Sequence, residues 1–217
     1  MADRQDAAGA RVALVASAAV AVTALLAYAL QESDATAIWL YYSNLSAAAT
    51  AVITIGRLTG RGFRSALFIG FAATSSLFSA IIFLAVIAPV NGIAEWSDPW
   101  SAIHSLSLHI ALPIATVLAL ITVPHSGVPI WRGVATWMIP PGLYVTFLLI
   151  ASAGGWIADV PYLFLSVGQY GPLRVLLHIS VLLGVFSLCC AAISALQRRT
   201  ASKTDHSQPP GGLRRAM

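Results

Sequence analysis

Six stretches of about 20 residues in this chain are almost free of Asp, Glu, Lys and Arg, and no other feature limits its fold so strongly. They run from Val12 to Leu30, Ala37 to Ile55, Ser65 to Val90, Ala102 to Val123, Gly133 to Ala153 and Leu173 to Leu196; Arg174, at the edge of the last, is the one such charge among them. The hydrocarbon of a bilayer is about 30 Å thick, which a helix rising about 1.5 Å per residue crosses in roughly 20 residues. Backbone amides have no water to bond there, so an apolar stretch of this length spans as a helix. Charged residues make up 9% of the 217 positions, against roughly 25% in soluble domains, and mean hydropathy is +0.81. A water-soluble fold is excluded. The predicted class is all-α: a polytopic membrane protein built as a bundle of six transmembrane helices. Residues 1–11 form a short N-terminus, 12–197 the transmembrane domain and 198–217 a basic tail without apolar periodicity, expected to be disordered. The first apolar run is longer than a secretory signal core and is read as a retained helix.

Charge placement orients the bundle, because cytoplasmic loops retain Lys and Arg. Arg4, Arg11, Arg57, Arg61, Arg64, Arg132, Arg198, Arg199, Lys203, Arg214 and Arg215 share one side, eleven of the twelve cations, and Arg174 is alone on the other. Glu32, Asp34, Glu95, Asp98 and Asp159 fall on the side poor in cations. Both termini are therefore expected in the cytoplasm. The net charge of +4 comes from membrane-edge cations that favour anionic lipid headgroups, so the expected partners are membrane lipids and not nucleic acid. Cys189 and Cys190 read as small packing residues near the cytoplasmic end of the last span. Trp39, Trp96, Trp100, Trp131 and Trp156 fall near span ends, where an amphipathic ring suits the headgroup zone. Pro140 and Pro141 are expected to bend the fifth helix, since proline removes donors and clashes with the preceding turn. The Ala-rich composition points to a bacterial plasma membrane.

Polar side chains inside the spans are costly unless they pair or serve a site. Ser43, Ala47, Thr50 and Thr54 recur on one face of the second span. In the fourth, Ser105 and His109 lie four apart on a shared face, while His104 and His109 do not share one. Counted inward from the cation-poor side, Ser43 and Asn44 lie about 9 to 11 Å deep and His109 about 10 Å deep. His178 enters the sixth span at a similar level. This predicts a polar layer in the outer half of the bundle. A positioned histidine can serve as base for a hydroxyl and then as acid for a leaving group, and Ser43 is the candidate hydroxyl for His109. His125 falls in a loop.

Four short motifs, in order and spacing, resemble those of a known family. They are Tyr41 to Leu45 (YYSNL), Leu108 to Pro113 (LHIALP), Trp137 to Tyr144 (WMIPPGLY) and Pro161 to Pro172 (PYLFLSVGQYGP). Together they resemble the bacterial Pr6Pr membrane proteins, related to the androgen-induced membrane hydrolases of fatty-acid esters of hydroxy fatty acids, over residues 12 to 197. The resemblance implies a threonine in the second span acting with a histidine in the fourth to cleave a lipid ester within the membrane. His109 matches that histidine; Leu40, three residues before Ser43, stands at the threonine's place. Ser166 stands where the family's fourth motif is usually acidic.

Two functions follow as expectations. One is a lipid-ester hydrolase with His109 as base, Ser43 as nucleophile and Asn44 as a donor to the oxyanion. The other is a non-catalytic membrane protein that binds a lipid or a partner in the same place, Leu40 marking the lost chemistry. A haem held by His109 and His178 is a third reading, drawn from their similar depth, and no cofactor is expected in the first two. Transport is not encouraged, because no charged residue lies in mid-membrane.

Overall fold

A computed structural model describes residues 2–31, 37–63, 65–91, 98–157 and 160–206. The expectations placed on Glu32, Asp34, Arg64, Glu95, Trp96, Asp159 and the tail beyond His206 lie outside the described residues. Six helical rods follow in order, with no strand among the described residues. The first is Ala2–Gln31. The second is Tyr42–Leu58, preceded by a 3-10 turn, Ala37–Leu40. The third runs Ala66–Ile82, passes through a π turn at Phe83–Ile87 and ends as Ala88–Asn91. The fourth runs Pro99–Leu106, a π turn at Ser107–Ala111, then Leu112–Thr122. The fifth is Ile130–Trp137 and Ile139–Ala153, parted at Met138. The sixth is Val167–His206, bent at Gly171. Among the described residues, all but the second are long and apolar enough to cross a membrane.

The helix starts have local causes. Ser65 accepts from the Leu67 amide at 3.3 Å and Asp98 from the Ser101 amide at 2.9 Å, each satisfying a donor that a first turn leaves free. The fifth helix breaks where Pro140 follows Met138, as its prolines predict. Trp39, Trp100, Trp131 and Trp156 are exposed at helix ends, and Cys189 and Cys190 are buried thiols.

The first helix starts at Ala2, ten residues before the expected Val12, and takes in the expected N-terminal segment, and the sixth starts at Val167, six before Leu173. Two further boundaries differ from the sequence expectation. The second span was expected to be helical from Ala37, but its α-helix starts at Tyr42, because Tyr41 is extended (φ −99°, ψ 124°). Tertiary hydrogen bonds hold the break: the Tyr144 hydroxyl donates to the Leu40 carbonyl at 2.6 Å, and the Tyr42 amide donates to the Tyr162 hydroxyl at 3.1 Å. The sixth helix continues through Thr200 to His206, where a structureless tail was expected. Thr200 itself back-bonds to Gln197 O at 2.9 Å.

The third helix is the axis of the bundle, packing on the second, fourth, fifth and sixth, while the first packs on the second and fourth. Its sequence explains this place. Ala, Gly, Ser and Thr let neighbours approach closely on several sides, and Ile69, Gly70, Ala72, Ala73, Thr74, Ser75, Ser76 and Ser79 are all buried. Its hydroxyls also bond across helices: Ser76 to Thr116 at 2.7 Å and Ser75 to Tyr42 at 3.1 Å. At the other end of the bundle, Trp137 lies where a side chain on Gly70 would stand, Ser194 Oγ lies where one on Gly133 would, and the Trp137 indole donates to Leu67 O at 2.9 Å.

Candidate ligand cavity

The ends of helices nearest residues 37–41 and 160–166 line a half-open cavity of about 580 Å³. All six tyrosines of the chain line it: Tyr28, Tyr41, Tyr42, Tyr144, Tyr162 and Tyr170. His104, His109, Ser43, Ser79, Ser101 and Ser105 add further polar groups, and Phe78, Ile82, Val86, Leu182 and Phe186 an apolar wall. Among the described residues, no Asp, Glu, Lys or Arg is in the lining. Each of the four motif stretches contributes to it, through Tyr41 to Ser43, His109, Pro141 and Tyr144, and Pro161 to Leu165.

The fourth helix brings two histidines to this space by a local irregularity. Residues five apart on an α-helix are about 140° apart around its axis, so His104 and His109 were expected to diverge. The π turn at Ser107–Ala111 takes up an extra residue between them, and both line the cavity. The third helix carries its own π turn at the same level, and Phe83, its first residue, stacks on the His109 ring (centroids 4.0 Å apart, planes 2° apart). Dispersion over that face fixes the plane of the imidazole.

Hydrogen bonds then divide the polar groups into pairs. His109 Nδ1 lies 3.2 Å from Ser79 Oγ, both residues being buried. His104 Nε2 donates to Asn44 Oδ1 at 2.9 Å and its ring packs on Tyr28 with centroids 4.9 Å apart. Ser43 lines the cavity but belongs to a different group: the Tyr162 hydroxyl rests against the amides of Tyr42 and Ser43 and against the Ser43 hydroxyl. Burial pushes the Tyr162 phenol up to about 12, so it is a neutral hydroxyl at physiological pH.

The predicted constellation is therefore rearranged. His109 and Ser43 share a cavity, but the serine bonded to His109 is Ser79. Asn44, expected as an oxyanion donor, is buried behind His104 and outside the lining, with its Nδ2 unpartnered; its bond positions His104. Leu40 is outside the lining too, and packs against the cluster around Leu148 and Leu165. The break at Tyr41 removes the simple helical relation between Leu40 and Ser43. His178 bonds to the Phe164 carbonyl at 2.7 Å and is no part of the cavity wall, so it and His109 do not face a common centre. His125 bonds to the Leu120 carbonyl at 2.7 Å, at the end of the fourth helix.

Sequence reasoning passed over Ser79, the tyrosines and His104 as wall residues. Five of the tyrosines flank span ends on one side of the predicted bundle, and that asymmetry was readable. The serines at 75, 76 and 79 repeat at helical spacing on the third span, a weaker signal.

No family model, no curated protein and no solved structure matches the chain.

Proposed function

We propose that this chain is a membrane protein of the Pr6Pr type that holds a neutral amphiphilic lipid in the tyrosine-lined cavity. The carrying observation is the composition of the wall. A cavity of this size suits a ligand of lipid-fragment or drug-like dimensions. Its lining offers hydroxyls and imidazoles beside phenyl and aliphatic groups, without any full charge among the described residues. Among the described residues a buried phosphate or carboxylate would find no counter-charge there, at a cost of several kcal/mol, on the order expected for an unpaired ion. An uncharged head bearing hydroxyl, carbonyl or ester oxygens finds donors instead. The convergence of the four motif stretches on this cavity supports the family reading. With both termini in the cytoplasm, the cavity lies in the outer half of the bundle.

The test is lipid retention. Native mass spectrometry of the purified protein is expected to find a neutral lipid bound in about one-to-one ratio, and Val145→Trp, which fills the lining, to release it. Recovery of bulk phospholipid alone, equally in both proteins, overturns the reading. A second reading, cleavage of a lipid ester in the same cavity, is supported by a specific feature: the hydrogen bond between His109 and a serine hydroxyl.

A further inference from the structure

We infer that Ser79 is a nucleophile and His109 its general base, so that an ester carbonyl entering the cavity is attacked from the third helix and not from the second. The inference rests on the proposed binding of a neutral lipid, and it concerns which side chain would react.

Hydroxyls in apolar helices normally donate to a carbonyl three or four residues back. Ser46, Thr50, Ser76 and Thr116 all do so here. The described bond of the Ser79 hydroxyl is instead to His109 Nδ1, at 3.2 Å, which is within the reach required between a nucleophile and its base. Both residues line the cavity. Stacking on Phe83 keeps the imidazole plane fixed, a part that a third group plays in triads of this kind. Ser43, the other candidate, is grouped with Tyr162, and no bond joins it to His109 among the described residues.

The chemistry balances without a cofactor. Ser79 Oγ bonds to the ester carbonyl carbon as its proton passes to His109 Nδ1. The tetrahedral intermediate collapses by breaking the bond to the alcohol oxygen, which takes the proton back from His109. Water then attacks the Ser79 ester with His109 again as base, releasing the acid and restoring the hydroxyl. Neutral imidazole is required at the start, with its proton on Nε2.

A long-chain alkyl fluorophosphonate tests this on the full-length protein in lipid nanodiscs, the adduct being mapped by peptide mass. The expected adduct is on Ser79 of the wild type. It is absent from Ser79→Ala and forms about a hundredfold more slowly in His109→Gln, within the range of a general base. Mapping on the wild type needs no variant to fold. An adduct on Ser43, or no adduct on a protein that retains its neutral lipid, overturns the assignment while leaving the binding reading intact. A protein that retains no neutral lipid and takes no adduct overturns both.

Discussion

At the scale of single residues, the absence of a side chain is as informative as its presence. Gly70 and Gly133 flank Trp137 from the third and fifth helices, and a methyl group on Gly70 would collide with the outer edge of the indole. Close packing leaves no slack for it. Gly70→Ala is therefore expected to destabilise the bundle by about 1 to 3 kcal/mol, as overpacking does, measured by detergent or steric-trap unfolding. In the background of Trp137→Phe, which withdraws the colliding ring, the same change should cost clearly less. The Ser76–Thr116 bond predicts a smaller effect. Ser76→Ala should cost about 0.6 kcal/mol, the usual worth of a hydrogen bond between membrane helices, and a loss above about 2 kcal/mol would show that this bond carries more than its share. Trp137 and its glycines were not foreseen as a unit, because three residues spread over 68 positions meet only when the helices pack.

At the scale of elements, the irregular turns matter more than the regular ones. The π turn at Ser107–Ala111 places His104 and His109 together, and deletion of one residue restores α-helical register. Deleting Ser107 should turn His104 away from the cavity and break its bond to Asn44, while helix content by circular dichroism stays nearly unchanged and lipid retention falls. Unchanged retention would mean that the π turn has no part in the site. The sixth helix bends at Gly171, whose φ of 74° and ψ of 160° belong almost entirely to glycine. Nothing crowds a Cβ there, so Gly171→Ala should cost about 1 to 3 kcal/mol through the backbone alone. Its effect should appear first as altered packing of the 161–166 segment, which supplies five wall residues in a row from Pro161 to Leu165. Fluorescence of a probe at the exposed Leu163 would report it. Helix existence was legible in the charge-free runs, but a π turn is invisible in a hydropathy pattern, since one inserted residue leaves the local composition unchanged.

For the molecule as a whole, orientation is the property on which sequence speaks most strongly. The asymmetry of eleven cations to one predicts that the loop before the fifth helix faces the cytoplasm. Cysteine at the exposed Ser126 should react with an impermeant maleimide only after the membrane is opened, and cysteine at the exposed Gln169 in intact cells. The native Cys189 and Cys190 are buried, which keeps the background low. The opposite labelling pattern would invert the bundle and move the cavity to the cytoplasmic half.

The sequence alone established the class of the molecule, a helical membrane bundle, because burying uncharged runs in hydrocarbon and closing their backbone hydrogen bonds is a local demand that each segment meets by itself. It also placed His109 and Ser43 at one depth, since rise per residue is a local quantity. Only the tertiary structure decided their partners. Rotation of a helix, a π turn and the break at Tyr41 all respond to neighbouring segments, and they set Ser79 against His109, Asn44 against His104 and six separated tyrosines around one cavity.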